Sequence, residues 1–515
     1  MDEQIARFHG SFQLDDATIP GEIIHNKETG KIRLTLTKVF DTYRDLIMDC
    51  TPVPTDEITT TEEEVAWMTS KSEEFKTWRD EHVQKVRLYN WIGFISGTLN
   101  DGTFVTLFNC HRVNDKHDWE TLSRRLVFSA EYIIWDDPSC VMLNKTEERV
   151  DRKYHKFVCV IENALGWIEA SRIRKEKYGQ FELRSSIPGK NRFSWNDAQI
   201  RFSTQVEANI WSSYSREKYT LTEHLQFEIT AKNPLPAYEY IQIRNKVLAM
   251  ISFAIQGNVN IIGQYIYNDD DKYTYTTEDG EILEGLPVEE RPYAITSDEP
   301  RRRIWTTNSD DFNFHLSDFK GKEMSKLLTK LEPIFTLYTS LYKYSDMPLE
   351  MIYLNLIQAV EKFHATFHSY GGSRRKYVER TTKRFQDHPR FSDLLKPLFL
   401  SEPQLSEHTD YVILLSRIAD LLVDKGNEDD LFYAFYGVDR DFPYKITDTR
   451  HYYTHYGEGK QEKIFVGHEL YDAIKVLKYV LEYHVCKELG VDISEKIRKQ
   501  IANFLAIKEF NKYMV

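Results

Sequence analysis

Cysteine is scarce in this chain and long apolar runs are missing. Five cysteines (Cys50, Cys110, Cys140, Cys159 and Cys486) are scattered over 515 residues, odd in number and without a CxxC pair. That pattern argues against a disulfide framework or a thiolate metal site and predicts reduced thiols in a cytoplasmic protein. No stretch approaches the roughly 20 apolar residues needed to span a bilayer, so no membrane partner is expected. The first residues, MDEQIARFHG, are acidic and polar, unlike a secretory signal. Neither GxxxxGK[ST] nor a dinucleotide fingerprint occurs, so no cofactor is indicated. Basic charge is in deficit as well: 67 Lys and Arg against 80 Asp and Glu leave a net charge of −13. A protein that coats nucleic acid indiscriminately is normally basic. Any contact with RNA must therefore be local, or selective for a shaped substrate.

What is present fits a soluble multidomain protein. Hydrophobic residues make up 41% and charged residues 29%, and 515 residues exceed one ordinary core. Before about residue 320, short alternating and β-branched runs dominate: Gly30 to Thr37, Thr103 to Phe108, Leu225 to Ile229. Turn signals such as Asn100-Asp101-Gly102 separate them. One helix is expected around Tyr238 to Ile255, and the acidic stretch 268–303 reads as a long loop with some strand content. The expectation is an α+β multidomain fold, with a β-rich domain over 1–160, a second β-rich domain with a helix over 161–318, and an all-α bundle over 319–515.

After about 320 the helical period takes over. Long amphipathic helices are predicted over 324–342 and 349–370, the latter stopped by Gly371-Gly372. Shorter ones follow at 374–386 and 391–400, then helices at 409–424, 442–456, 467–489 and 493–507.

The helix over 442–456 carries the densest polar set. Phe442, Ile446, Thr449, Tyr453 and Tyr456 recur at spacings of 4, 3, 4 and 3, a stripe facing the core. Asp448, Arg450, His451, Thr454 and His455 fall on the other face. Taken alone, that is the pattern of a solvated surface helix. Arg450 and His455 are five positions apart, so on a straight helix they diverge by roughly 140°. A second helix lying antiparallel against the first completes a site that needs both, and a two-fold dimer supplies that helix without new sequence. Two arginines and two histidines then line one cleft. This kit suits RNA cleavage. A neutral His takes the proton of a ribose 2′-OH, a protonated His supplies the leaving oxygen, and Arg stabilises the five-coordinate phosphate. The 2′-OH is the nucleophile, so no metal is required.

Arg450-x4-His455 at a helix end, with polar His451 directly after the Arg, resembles the signature of HEPN ribonucleases. The run Ile446 to Tyr456, a Gly-containing turn and a long final helix are similar to the ApeA-like HEPN branch, as is the upstream helix containing Gln358 to His364. Asp16 to Thr37, with Pro20-Gly21, and Leu221 to Gly263 resemble the ApeA N-terminal region. The resemblance implies a metal-independent endoribonuclease that acts as a homodimer or higher even oligomer. It also implies bacterial anti-phage defence by abortive infection, with tRNA as a candidate target and a phage-derived trigger sensed by the N-terminal module. Arg450 and His455 inherit the catalytic roles. His451 stands where Asn or Asp is common and is a supporting residue together with Asp448.

Other readings compete. His451 and His455 are an i, i+4 pair able to share a metal, but no Glu follows the first His as in HExxH. Residues 371–390 hold seven Lys or Arg and two acids and read equally as an RNA-facing patch or a solvated helix. Glu361 can support Arg450, although a surface or structural pairing is the better expectation for it and His364. Trp167, Trp195 and Trp211 are expected in the core. The alternative for the whole chain is a non-catalytic HEPN-fold scaffold that binds RNA or protein.

Overall fold

The computed structural model describes residues 5–14, 17–40, 91–118, 121–135, 153–168, 171, 173–175, 181–183, 192–195, 197–213, 216–272, 290–297, 312–318, 324–343, 347–368, 409–422, 442–455 and 464–514. Eight strands come first: β1 (Ile5–Leu14), β2 (Ala17–Asn26), β3 (Ile32–Val39), β4 (Trp91–Leu99), β5 (Phe104–Asp118), β6 (Ser123–Ala130), β7 (Tyr132–Trp135) and β8 (Lys153–Ile161). The short pair β9 (Ile173–Lys175) and β10 (Phe181–Leu183) precedes β11 (Arg192–Trp195), β12 (Ala198–Ser213) and β13 (Arg216–Pro236). Helix α1 (Ala237–Ile255), β14 (Ile261–Lys272) and β15 (Glu290–Ser297) follow. The remainder is helical: α2 (Met324–Lys343), α3 (Leu349–Phe367), α4 (Thr409–Leu422), α5 (Phe442–His455), α6 (Gly467–Glu488) and α7 (Ser494–Met514). The α+β class with strands first and helices last is therefore as expected. The predicted helices at 374–386 and 391–400, the basic segment 371–390 and the stop at Gly371-Gly372 lie outside the described residues. The stretch 268–303 contributes the end of β14 and all of β15.

Contacts group the chain into two compact units. The first holds residues 1–160, 233–240 and 261–302; the second holds 161–232, 241–260 and 303–515.

Six strands of the first unit close into an antiparallel barrel. β1 pairs with β2 and β4, β2 with β3, β3 with β6, β6 with β5, and β5 with β4. Closure leaves these strands no exposed edge. Alternation drives it: Ile32, Leu34 and Leu36 of β3 point inward with Leu126 and Phe128 of β6, joined by Phe12, Ile23 and Leu107. Gly10 and Gly21 face each other across β1 and β2. A Cβ at Gly10 would lie 2.4 Å from the Thr98 carbonyl oxygen, and one at Gly21 2.7 Å from Leu36. Only glycine admits that close approach, so the wall is drawn in there. Strand β5 also pairs with β7, which leads through β15 and β14 to β8.

In the second unit β12 and β13 form one long hairpin with β11 on its edge. Trp167, Trp195, Phe202 and Phe227 are buried there, so two of the three tryptophans are core residues. The side chain of Trp211 lies outside the described residues. Phe253 of α1 packs against Phe335 and Tyr338 of α2. Helix α2 lies on α3, α3 on α6 and α4, and α5 on α4 and α3. A buried polar chain ties the helices together. Lys478 pairs with the fully buried Glu482 at 3.5 Å and donates to Gln256 Oε1 at 2.8 Å. Gln256 Nε2 and Lys496 Nζ then both donate to Asn313 Oδ1, at 2.8 and 2.9 Å. Tyr338 donates to Glu482. Burial disfavours the Lys478 ammonium, but the Glu482 carboxylate and the Tyr342 phenol together outweigh that and hold its pKa above the usual lysine value.

Candidate active site

Helix α5 is anchored by its apolar stripe. Phe442, Ile446, Thr447 and Thr449 are buried, while Asp448, Arg450, His451 and Tyr453 are partly exposed and Thr454 is exposed. The wheel thus describes Phe442, Ile446 and Thr449, whereas Thr447 joins the buried side and Tyr453 of the stripe is only partly buried. Tyr456 lies outside the described residues.

Backbone anchors fix its rotation. The buried Tyr353 hydroxyl of α3 donates to the Ile446 carbonyl at 2.6 Å. Burial, and then the nearby Glu361 carboxylate, push this phenol well above its ordinary pKa, so it stays a donor. Thr449 Oγ1 donates to the Lys445 carbonyl at 2.6 Å and accepts from the Phe465 amide at 2.9 Å. Tyr453 donates to the Phe465 carbonyl at 3.3 Å. Both backbone groups of Phe465 are therefore held by α5, one helical turn apart, which pins the start of α6 against it.

Arg450 leaves this helix toward α3. Its Nε lies 3.3 Å from Glu361 Oε1, and the other carboxylate oxygen lies 4.0 Å from Arg417 Nη1 of α4. Glu361 and Arg450 are thus brought together, in an ion pair that a supporting role and a structural role would both produce. Side chains of Arg450 and Glu361 are 28% and 20% exposed, so the pair sits at the rim of the bundle rather than inside it. With Nε turned to Glu361, the planar guanidinium still has four terminal N–H donors. Thr454 donates to the Arg450 carbonyl at 2.7 Å. His455 closes α5 and only its backbone is described.

One turn along α3 and α4 a second pair repeats the first. His364 Nε2 lies 2.8 Å from Asp420 Oδ2, both almost fully buried, and His368 stacks on His364 with centroids 5.3 Å apart. His484 of α6 bonds the Leu421 carbonyl through Nε2 at 2.6 Å. His364 is thus structural, as expected, but its partner Asp420 was not identified from sequence. The available signal was an acid inside the apolar run Tyr411 to Leu422.

Among the described residues no group of three or more His, Cys, Asp or Glu is placed to hold a metal. Among them, too, no helix is long and apolar enough to cross a membrane. Cys110, Cys159 and Cys486 are buried free thiols; Cys50 and Cys140 lie outside the described residues.

Two family models match the chain. The one described as ApeA N-terminal domain 1 matches residues 7–328, and the one described as Apea-like HEPN matches residues 354–495. Glu361, Arg417, Asp448, Arg450, His451 and His455 all fall within the second match. No curated protein and no solved structure matches the chain.

Proposed function

This chain belongs to the ApeA-like HEPN family of anti-phage effectors, and on that premise we propose that it is a metal-independent endoribonuclease whose catalytic residues are Arg450 and His455. The observation that carries the reading is Arg450 itself. It stands on the accessible face of an anchored helix, and an ion pair with Glu361 limits its swing.

In the proposed reaction a neutral His455 takes the proton of a ribose 2′-OH, and that oxygen forms a bond to the adjacent phosphorus. Arg450 stabilises the added charge on the five-coordinate phosphate. The bond from phosphorus to the 5′ oxygen breaks, and a protonated His455 from the other subunit delivers the proton. The products are a 2′,3′-cyclic phosphate and a free 5′-OH. The 2′-OH supplies the nucleophile, so the step needs no metal, and DNA is spared. The divergence of Arg450 and His455 along α5 is the reason to invoke two chains. Asp448 and His451 flank Arg450 and are assigned supporting roles. We assign the nuclease to residues 319–515 and sensing of infection to the strand-rich regions 1–160 and 161–318. RNA, with tRNA as the candidate class, is the substrate, which places the action in the cytoplasm.

An ion pair with Glu361 is also what a purely structural arginine would make, and that favours the second reading, a non-catalytic scaffold. Cleavage of bulk tRNA in EDTA separates the two. Wild type should cut, and Arg450→Ala and His455→Ala should each lose at least about a hundredfold in rate. Folded variants that cut like wild type would leave the scaffold reading standing.

A further inference from the structure

The barrel of the first unit carries a cavity of about 850 Å³ on its outer wall, where the wall is drawn in at Gly10 and Gly21. That volume is in the range of small-ligand sites, roughly 300–1,000 Å³. Strand register places its side chains in rows. One row runs His9, Glu22, Thr35, Val127, Asn114 across β1, β2, β3, β6 and β5. The neighbouring row runs Thr37, Arg125, Lys116 across β3, β6 and β5. Arg33 lies four residues from Thr37 on β3, roughly 13 Å along the strand.

Charge in this cavity is unbalanced. Lys116 and Arg125 are direct cross-strand neighbours, an arrangement that repels when nothing anionic lies between them. Among the described residues, no side-chain hydrogen bond or ion pair engages Arg33, Lys116 or Arg125. The acid lining the cavity, Glu22, is already met by Arg7 at 2.9 Å and by His9 at 3.7 Å. Three cations therefore face one concavity in a protein whose net charge is −13. Ser11, Thr35 and Thr37 add hydroxyl donors beside them.

We propose that this cavity binds a small phosphorylated ligand of nucleotide size. Its phosphate chain lies over the Lys116–Arg125 pair and runs toward Arg33, and its uncharged part lies over the Glu22 row. Arginine forks and hydroxyls match phosphate oxygens. Glu22, held in place by Arg7, is an acceptor for sugar hydroxyls or a base amino group. Among the described residues no Phe, Tyr or Trp lines the cavity, so it lacks the broad stacking platforms that a single-stranded nucleic acid uses.

The test is calorimetric titration of the full-length chain with ATP, tripolyphosphate, citrate and an oligo(dT) strand. It reads binding alone and does not depend on nuclease activity. ATP and tripolyphosphate should bind, and Lys116→Glu or Arg125→Glu should weaken both at least tenfold, about 1.4 kcal/mol. Lys116→Gln, a milder change at an exposed site, should weaken them less. Tighter binding of ATP than of tripolyphosphate supports a nucleoside contact over Glu22, and equal binding supports phosphate recognition alone. The proposal is overturned if neither binds, if citrate binds equally well, or if the charge reversals change nothing. Oligo(dT) binding that depends on Lys116 and Arg125 in the absence of ATP binding would overturn it too, in favour of a nucleic-acid surface.

Discussion

Replacing Glu361 by Gln removes one charge while keeping shape and hydrogen-bonding capacity. At the observed 3.3 Å, two unit charges attract by about 5 kcal/mol at an effective dielectric of ~20 and by about 1.3 kcal/mol in water. Both side chains reach solvent, so the screened value governs, and the pair contributes about 1 kcal/mol or less to folding. The larger effect falls on catalysis. A freed arginine regains up to about 1.5–2 kcal/mol of rotamer entropy that must be lost again when it engages phosphate. If that loss falls in the transition state, kcat drops about 10- to 30-fold while folding changes little. The assay is single-turnover cleavage of tRNA by wild type, E361Q, R450A and the double variant. Because Glu361 is argued to act through Arg450, E361Q should cost almost nothing in the R450A background. Wild-type or faster cleavage by E361Q, or effects that simply add in the double variant, would refute the reasoning.

Other substitutions probe the surroundings. Tyr353→Phe removes the hydrogen bond to the Ile446 carbonyl and should cost about 1 kcal/mol in urea unfolding, with cleavage reduced only through loosening of α5. Lys478→Met leaves the buried Glu482 without its cationic partner and should cost about 3–5 kcal/mol, seen as a marked loss of Tm. Gly10→Ala drives a Cβ into the Thr98 carbonyl and should destabilise the barrel by about 1–3 kcal/mol, read by unfolding of the full chain. Burial pushes the Cys110 thiol from 9.0 up to about 12. The folded state therefore holds this proton after the unfolded state has released it. Its contribution is complete below pH 9 and declines as pH rises from 9 toward 12, a slope that Cys110→Ala should flatten in urea titrations.

Local signals were legible in the sequence where one element decides its own burial. The stripe Phe442, Ile446, Thr449 fixes which side of α5 faces inward, and all three are buried. The helices begun at Met324, Leu349, Thr409 and Gly467, whose apolar period is long, form as well. Barrel closure was not legible. It depends on pairings of β1 with β4 and of β5 with β6, which match hydrogen-bonding edges and leave no residue pattern. The partners of Glu361 were equally hidden. Helical spacing places Glu361 and His364 on one side of α3. Only the packing of α4 and α5 decides that Arg450 and Arg417 meet the first and Asp420 the second. Charged partners from separate helices have no fixed spacing, so a periodicity argument cannot rank them.

The proposed function rests on a ribonuclease site shared by two chains, with Arg450 and His455 as its working groups. The most direct measurement is tRNA cleavage, in EDTA, by a mixed dimer of Arg450→Ala and His455→Ala subunits. Each parent alone should be inactive. In the mixed dimer an intact Arg450 from one chain and an intact His455 from the other remain in the cleft; that single histidine can supply one of the two proton transfers, which neither parent combines with an arginine, so cleavage should return only in part. A mixed dimer as inactive as its parents, beside an active wild type, would contradict a shared site. Parents that cut normally would contradict the assignment of Arg450 and His455 themselves.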